Sequence, residues 1–344
     1  MLVSYRPLAK LERAIRFRGS SSAQRQVLPV LTNTDLPPLR PYSCTPSPRP
    51  LNKYIQIMAA ALRALQKIGS LSVAAATTLS YNTPSACDRR RRFEGKTIVI
   101  TGGGGTFGRV GARYFAEQGA KVVLVDVNQA ALDQIHEDGV TTCACDVRDP
   151  AQVQAVVDAC GRIDLLWNNA GYQGAMKPLL EYPADDVQLV MDINVVGAFQ
   201  VLQACAKNMA AHGGGAIVQT GSVAGLRGTP TMGAYVASKA AIHGLTMTAS
   251  KDLAPHHIRV NTVMPALIGP SSGFMWQRQN ELHAASGSPY FDRDPAVVAT
   301  KKIGGVPLKR LGEVEEVVEA VAFLLSEESA YITGTSLVVA GGMA

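Results

Sequence analysis

The sequence predicts an α/β fold in which one doubly wound parallel β-sheet carries helices on both faces. Strand-like and helix-like segments alternate from residue 93 onward, and the strand-like segments are short apolar runs, typical of strands buried on both sides. Glycine and polar motifs follow the predicted strand ends, where ligands bind in such sheets. These observations predict a single ligand-binding domain over residues 93–344, preceded by a leader.

Residues 1–92 differ in composition from the rest of the chain, and we interpret them as a basic, largely disordered leader. They hold fifteen Lys and Arg against three acids, a net charge of +12, so residues 93–344 carry −6 within the overall charge of +6. Prolines between residues 37 and 50 exclude a sustained helix or a central strand there. The mildly acidic remainder argues against a nucleic-acid surface on the main domain.

Two interpretations of the leader stay open. Residues 58–87 contain no acid and have apolar and basic residues in helical register, which resembles an organelle transit peptide. The alternative is an artefactual extension from a wrongly chosen start. The location expected by default is cytoplasmic, or mitochondrial or otherwise organellar if the leader is a transit peptide. No run of about 18 apolar residues exists, so no membrane span is expected.

The six cysteines show no spacing typical of a disulfide framework, so a reducing compartment is the default expectation. Cys143 and Cys145 stand at the end of an apolar run, which favours small strand residues over metal ligands. No metal site is therefore predicted.

The first predicted strand, residues 96–101, leads into a glycine-rich turn and an amphipathic helix that reaches about Gly119. Glycines let backbone amides approach a pyrophosphate, and a helix N-terminus offers unpaired N–H groups and a positive dipole end. We therefore predict a dinucleotide cradle. Its residues are Gly102, Gly104, Gly105, Thr106, Phe107 and Gly108.

Asp126 ends the second predicted strand, about 20 residues beyond the glycines, where an acid can hold the adenosine ribose hydroxyls. Its carboxylate would also repel a 2′-phosphate. No Arg or Lys stands between Thr101 and Gly108, and Val127 and Asn128 follow the acid. The sequence therefore favours NAD, with NADP less favoured.

The alternation continues to the end of the chain. Further strands are predicted to end at Asp146-Val147 and to span 164–167, 215–221, 258–263 and 335–339. Helices are predicted near 150–160 and over 185–211, 232–254 and 313–325.

Tyr235 and Lys239 stand four residues apart on the helix predicted over 232–254, so they share one face. A fixed ammonium beside a phenol stabilises the phenolate and lowers the phenol pKa, which suits general acid–base catalysis near neutrality. Ser222 lies thirteen residues upstream, just after a predicted strand.

With these motifs in order, residues 93–344 resemble the short-chain dehydrogenase/reductase family, which has a single-domain Rossmann-type fold. The resemblance implies that Ser222 hydrogen-bonds the substrate oxygen and that Tyr235 exchanges its proton. Lys239 would lower the phenol pKa and bind the nicotinamide ribose, and Asn194 would hold a water that relays protons from Lys239.

The resemblance also implies further cofactor contacts. Asp146 and Val147 match the adenine contacts, Asn169 and Gly171 the turn beneath the adenine ribose, and Pro265 and Ile268 the contacts after the sixth strand. Two departures stand out. Thr106 occupies the middle glycine of the family's turn, and Pro270 stands where a threonine often contacts the carboxamide, so that Ser271 or Ser272 would substitute.

Between residues 266 and 312 lies a long segment that forms a lid over the substrate in this family. Its aromatic and Met side chains, among them Trp276, suit a compact, partly apolar alcohol. We expect an NAD-dependent oxidoreductase that interconverts a secondary alcohol, of cyclic, diol or polyol type, and its ketone. The alternatives are a 3-oxoacyl-thioester reductase and a catalytically idle, dinucleotide-sensing binding protein.

The apolar faces of helices 185–211 and 232–254 favour a homo-tetramer or homo-dimer.

Overall fold

Seven parallel strands form the sheet at the centre of the computed structural model, which describes residues 91–343. The strands are β1 (Thr97–Thr101), β2 (Lys121–Asp126), β3 (Val140–Ala144), β4 (Leu165–Asn168), β5 (Gly215–Thr220), β6 (Ile258–Pro265) and β7 (Ser336–Val339). Their order in the sheet is β3-β2-β1-β4-β5-β6-β7, and each neighbouring pair is parallel. The order reverses between β1 and β4, which opens a crevice at the carboxyl ends of these two strands.

Nine α-helices occur in the described range. They are α1 (Thr106–Glu117), α2 (Gln129–Leu132), α3 (Pro150–Cys160), α4 (Ala184–Met191), α5 (Ala198–Ala211), α6 (Gly233–Asp252), α7 (Phe274–Ala285), α8 (Pro295–Gly304) and α9 (Val314–Leu325). A π turn, Asp192–Gly197, joins α4 to α5 without a break in the helical path.

The helices cover both faces of the sheet. On one face α1 packs on β1 and α9 packs on β4 to β7, with Phe115, Trp167 and Val318 fully buried. On the other face α3, α5 and α6 pack on the same sheet around Leu166 and Met209. Burial on both sides explains why the central strands are continuous apolar runs, and it confirms the predicted doubly wound α/β fold.

Arg92 and Phe93, at the start of the described chain, pack against the domain. Arg92 pairs with Glu328 at 3.0 Å beyond the end of α9, and Phe93 is 2% exposed, with its ring centre 4.9 Å from that of Phe115. The predictions for residues 1–90 lie outside the described residues.

The predicted strands and long helices are present, with ends that differ by one to two residues. The sequence did not predict α7, α8, the short α2 or the π turn, and β3 ends at Ala144, before Asp146.

The helical stretch over residues 184–211 is the one stretch in the described range that is long and apolar enough to cross a membrane. By itself this is weak evidence for a span, because core helices of globular domains pass the same test. Val201 and Leu202 of this stretch are buried against the sheet and α3, which is the position of a core helix.

Candidate active site

Two cavities open at the carboxyl ends of the strands and meet at the same side chains. The first cavity, of about 450 Å³, runs from the turn after β1 to the segment after β6. The second cavity, of about 370 Å³, is lined in part by residues of α7 and α8. Ser222 and Tyr235 line both. A dinucleotide in the first cavity and a small substrate in the second would therefore meet at these two side chains.

Most of the predicted site residues line the first cavity. They are Gly102, Gly105, Thr106, Phe107, Asp126, Asn169, Gly171, Ser222, Tyr235, Lys239, Pro265 and Ile268.

The glycine turn brings β1 close to the start of α1. Gly102 has a φ of +72°, and a Cβ on Gly108 would lie 2.5 Å from the Gly102 carbonyl oxygen, so neither position accepts a side chain without movement. Gly105 is the N-cap of α1, and within residues 91–343 no side chain caps its N–H groups. Thr106 is the exposed first residue of α1, so its Cβ is accommodated without a shift of the turn. The uncapped helix start fits a pyrophosphate.

Asp126 faces this turn from the end of β2. Its Oδ2 accepts a hydrogen bond from the Gly104 N–H at 2.8 Å, and its Oδ1 accepts one from the Asn128 N–H at 2.9 Å. Arg109, a nearby cation, donates to the carbonyl oxygens of Gly104 and Ala131 at 3.0 and 3.1 Å. Both bonds place the Arg109 guanidinium against backbone carbonyl oxygens. Within residues 91–343 Arg109 forms no salt bridge with Asp126.

Asn169 is held between β1 and β5. Its Nδ2 donates to the Thr101 carbonyl oxygen at 3.1 Å, and its Oδ1 accepts from Thr220 Oγ1 at 3.1 Å. A Cβ on Gly171 would lie 3.5 Å from both Asn194 Oδ1 and Lys239 Nζ. Glycine here leaves the space between these two polar groups open.

Ser222, Tyr235 and Lys239 form the polar centre of the site. Ser222 follows β5, and its Oγ accepts a hydrogen bond from the Ala224 N–H at 3.1 Å. Lys239 is 4% exposed; its Nζ donates to the Thr220 carbonyl oxygen at 2.8 Å and lies 5.6 Å from the centre of the Tyr235 ring. The structure therefore brings together the three side chains that the sequence singled out.

The pKa shifts at this centre are governed by burial. Desolvation raises the pKa of the Tyr235 phenol, and a side-chain hydrogen bond with Ser222 acts in the opposite direction. Desolvation also lowers the pKa of Lys239 to about 8. The lowered phenol pKa predicted from the Tyr–Lys spacing is thus opposed by burial, because an apolar surrounding disfavours either charged form.

Asn194 lies in the π turn and is 1% exposed. Its Nδ2 donates to the Tyr172 carbonyl oxygen at 2.8 Å and to Ser238 Oγ at 3.0 Å, and its Oδ1 accepts from the Tyr172 N–H at 2.7 Å. Both amide hydrogens are therefore used. A water at this residue would have to donate its own hydrogen bond to an acceptor oxygen of Asn194.

The structure does not bring Asp146 and Val147 into the first cavity. Asp146 pairs with Arg148 at 2.5 Å, and hydrogen bonding from this guanidinium lowers the pKa of the carboxyl. Val147 is 8% exposed and packs where a Cβ on Gly197 would stand. Their contact with adenine stays a prediction.

Beyond β6, Ser271 and Ser272 are exposed and lie outside the residues that line either cavity. The proposed substitution of one of them for the missing threonine therefore has no support in the geometry.

Several residues that the sequence did not single out also line the cavities. Gln173, Leu267 and Gln279 line both, whereas Lys302 and Met343 line the second. Gln173 and Leu267 follow the ends of β4 and β6, and this position after a strand could have predicted their place in the site. Lys302 gave no such signal because it lies on the unpredicted α8.

Comparison with known proteins extends the likeness beyond single motifs. Residues 105–344 match the sequence model of a family described as enoyl-(acyl carrier protein) reductase. The levodione reductase of Leifsonia aquatica is 35% identical over 263 residues, covering 73% of this chain and 95% of that protein. The 3-oxoacyl-(acyl-carrier-protein) reductase of Thermotoga maritima is 33% identical, covering 73% and 99%. The structure of NAD⁺-bound xylitol dehydrogenase is 46% identical, with a TM-score of 0.70 and coverage of 73% and 99%.

Proposed function

The chain belongs to the short-chain dehydrogenase/reductase family, and from this premise we propose that it is an NAD-dependent dehydrogenase of a secondary alcohol. Enzymes of this family use NAD(P) and act on CH–OH or carbonyl groups of small molecules. The substrate proposed here is a cyclic alcohol, a diol or a polyol. The observation that carries the proposal is the meeting of the two cavities at Ser222 and Tyr235.

In the proposed reaction, Tyr235 as phenolate accepts the proton of the substrate hydroxyl, while the Ser222 hydroxyl hydrogen-bonds the same oxygen. NAD⁺ held by the glycine turn, Asp126 and Lys239 would supply the hydride acceptor, so that alcohol and NAD⁺ would give ketone, NADH and one proton. The Lys239 ammonium favours the phenolate and binds the cofactor ribose. The proton then leaves through Lys239 and a water held by an acceptor oxygen of Asn194.

NAD is proposed over NADP because Asp126 faces the glycine turn and Arg109 is held on two backbone carbonyls. An added 2′-phosphate would meet the carboxylate, while the neighbouring Arg109 already donates to two backbone carbonyl oxygens. The structure of xylitol dehydrogenase, which was solved with NAD⁺ bound, supports the same choice.

We also propose that the protein is a homo-dimer or homo-tetramer. Val196, Phe199 and Met247 are 47%, 48% and 43% exposed on the helical surface. Other residues of the predicted apolar set, such as Val201 and Leu202, are buried within the chain. A clean monomer by light scattering at micromolar concentration would contradict this proposal.

The test of function is NADH formation by the purified protein across cyclic alcohols, diols and polyols, with a 3-oxoacyl thioester plus NADH as the reverse arm. We expect turnover of at least one alcohol class and its loss in Tyr235→Phe. Turnover confined to the thioester would establish the alternative reductase. Tight NAD binding without turnover of any compound would favour a binding protein.

A further inference from the structure

The second cavity carries a positive charge whose partners are all neutral. Lys302 Nζ donates to Asn280 Oδ1 at 2.9 Å and to His283 Nδ1 at 2.8 Å, and it lies 5.3 Å from the centre of the Trp276 ring. Desolvation lowers the pKa of Lys302 to about 8, so the side chain is still largely protonated at pH 7. Among residues 91–343 no carboxylate pairs with it. A partly buried cation without an anion is costly, and an anionic ligand would relieve that cost.

His283 accepts a hydrogen bond from this cation and so fixes its position. An ammonium can only donate, so Nδ1 of His283 accepts from Lys302 and the ring proton lies on Nε2. Burial and the Lys302 charge lower the pKa of His283 to about 4, against a backbone interaction with Gln279, so the ring is neutral. The side chain is 2% exposed, and Nε2 has no hydrogen-bond partner in the described part of the chain. The Nε2–H points away from Nδ1 and therefore away from Lys302, so the role of His283 is to position the ammonium as its acceptor.

The remaining residues that line the second cavity add positive charge and no negative charge. Of the described residues that line it, none is Asp or Glu, and Arg227 adds a second cation at the exposed side. Val223, Met232 and Phe291 supply apolar wall between these cations and the Tyr235 end. The cavity is therefore suited to a compact molecule with an anionic group and an apolar or hydroxylated body.

We propose that Lys302 binds the carboxylate of a hydroxy acid through the ammonium N–H that Asn280 and His283 leave free. This rests on the function proposed above, because the secondary hydroxyl of the same molecule then lies at Ser222 and Tyr235. The substrate class narrows from secondary alcohols in general to small hydroxycarboxylates, sugar acids included.

The experiment compares matched pairs that differ in the carboxylate: xylonate with xylitol, gluconate with glucitol, and 3-hydroxybutyrate with 2-butanol, each with NAD. We expect kcat/KM to be higher for the acid by about tenfold or more in wild type. Lys302→Gln should bring that ratio close to one, chiefly by raising KM for the acid on the order of 10–100-fold. Lys302→Arg, which keeps the charge, should retain most of the preference.

Two further variants make the result specific. His283→Gln keeps an acceptor for the Lys302 ammonium and should retain more of the acid preference than His283→Leu does. Lys301→Gln is the matched control, because Lys301 is the neighbouring exposed lysine and pairs with Asp292 outside the cavity. This control should leave the acid-to-alcohol ratio unchanged.

Equal kcat/KM for acid and alcohol in wild type, or a ratio that Lys302→Gln leaves unchanged, would overturn the inference without touching the proposed dehydrogenase activity. If no compound of either kind reduces NAD, the proposed function fails, and thermal melting decides the inference. The hydroxy acids should then raise the melting temperature of wild type and Lys301→Gln but not of Lys302→Gln. Equal shifts in all three proteins, or none, would overturn it.

Discussion

Lys239 Nζ donates a 2.8 Å hydrogen bond to the Thr220 carbonyl oxygen and lies 5.6 Å from the centre of the Tyr235 ring. The carbonyl, at the end of β5, thus holds the ammonium close to the phenol on α6. Burial is the first cause of both pKa shifts, and it raises the pKa of Tyr235 and lowers that of Lys239.

Tyr235→Phe should abolish most of the turnover while NAD still binds. The substitution keeps the ring packing and removes only the hydroxyl, so turnover should fall by about 10²–10⁴, the range typical of lost general acid–base catalysis. Steady-state kinetics and a fluorescence titration of NAD measure the two effects separately. Near-normal kcat would show that the base lies elsewhere.

Alcohol oxidation by wild type should rise with pH, because the phenolate is the form that accepts the substrate proton. Desolvation raises the pKa of Tyr235 and lowers that of Lys239 to about 8, so the rise should lie on the alkaline side of neutrality. The measurement is kcat/KM against pH from 6 to 10, with Tyr235→Phe as the control that should lose this limb. A limb of unchanged position in that variant would assign the titration to another group.

Lys239→Met should lose activity and weaken NAD binding without destabilising the fold at pH 7. Burial places the folded-state pKa near 8, below the ordinary 10.5, so below pH 8 the folded protein bears the full cost of the buried charge. As pH rises from 8 to 10.5 the folded-state lysine loses its proton first and the cost disappears. The difference between a pKa of 10.5 and one of about 8 corresponds to about 3 kcal/mol, and the unpaired Thr220 carbonyl in the variant offsets about 1 kcal/mol of this.

Thermal melting of Lys239→Met and of wild type tests whether the buried Lys239 charge destabilises the fold. The variant should melt no lower than wild type at pH 7, and any advantage should shrink towards pH 10. A melting temperature several degrees below wild type at pH 7 would mean that the lysine stabilises the fold.

Asp126→Ala should narrow the preference for NAD over NADP. In wild type we expect a preference above about tenfold, since an uncompensated carboxylate facing a phosphate costs more than about 1.4 kcal/mol. Asp133→Ala is the control of equal charge change, because Asp133 hydrogen-bonds Gln129 on α2 and does not line the first cavity. The ratio of kcat/KM for the two cofactors is the readout. If both variants change it equally, the effect is long-range charge and not recognition by Asp126.

Gly111→Ala should destabilise the domain, whereas Gly244→Ala should not. A Cβ on Gly111 would lie 2.3 Å from Trp167 Cζ3 in the packed core between α1 and the sheet, and overpacking of this kind costs about 1–3 kcal/mol. Gly244 lies in α6 with nothing within 4 Å of its Cβ position in the described chain, so alanine there should add about 0.5–1 kcal/mol of stability. Denaturant unfolding of both variants gives the comparison, and equal effects would refute the close contact.

The sheet and most of the residues that line the first cavity could be predicted from the sequence, because they depend on local patterns. The strands are apolar runs that are buried on both faces, and the motif residues follow directly from strand ends. The helix α7 could not be predicted in this way. Its buried positions include Asn280 and His283, whose partner Lys302 lies on α8, so a search for apolar periodicity finds no inward face.

Two further features depend on tertiary contacts: the pKa of Tyr235 and the formation of the π turn. The helical spacing of Tyr235 and Lys239 gives their proximity but not their solvation, and desolvation is the largest cause of both pKa shifts. The π turn depends on Asn194 bonding to Tyr172 and Ser238, residues 22 and 44 positions away in the chain. No local pattern encodes such contacts.

The π turn also restricts how this gene can vary. Each residue of an α-helix turns the chain by about 100°, so a one-residue deletion within Asp192–Gly197 would rotate α4 by that angle relative to α5. Asp186 on α4, which accepts hydrogen bonds from the Ala175 N–H and the Tyr182 hydroxyl, would then leave its partners. A substitution in this stretch would leave the rotation of α4 relative to α5 unchanged, whereas an insertion or a deletion would not, so the number of residues in the π turn sets the contacts of Asp186.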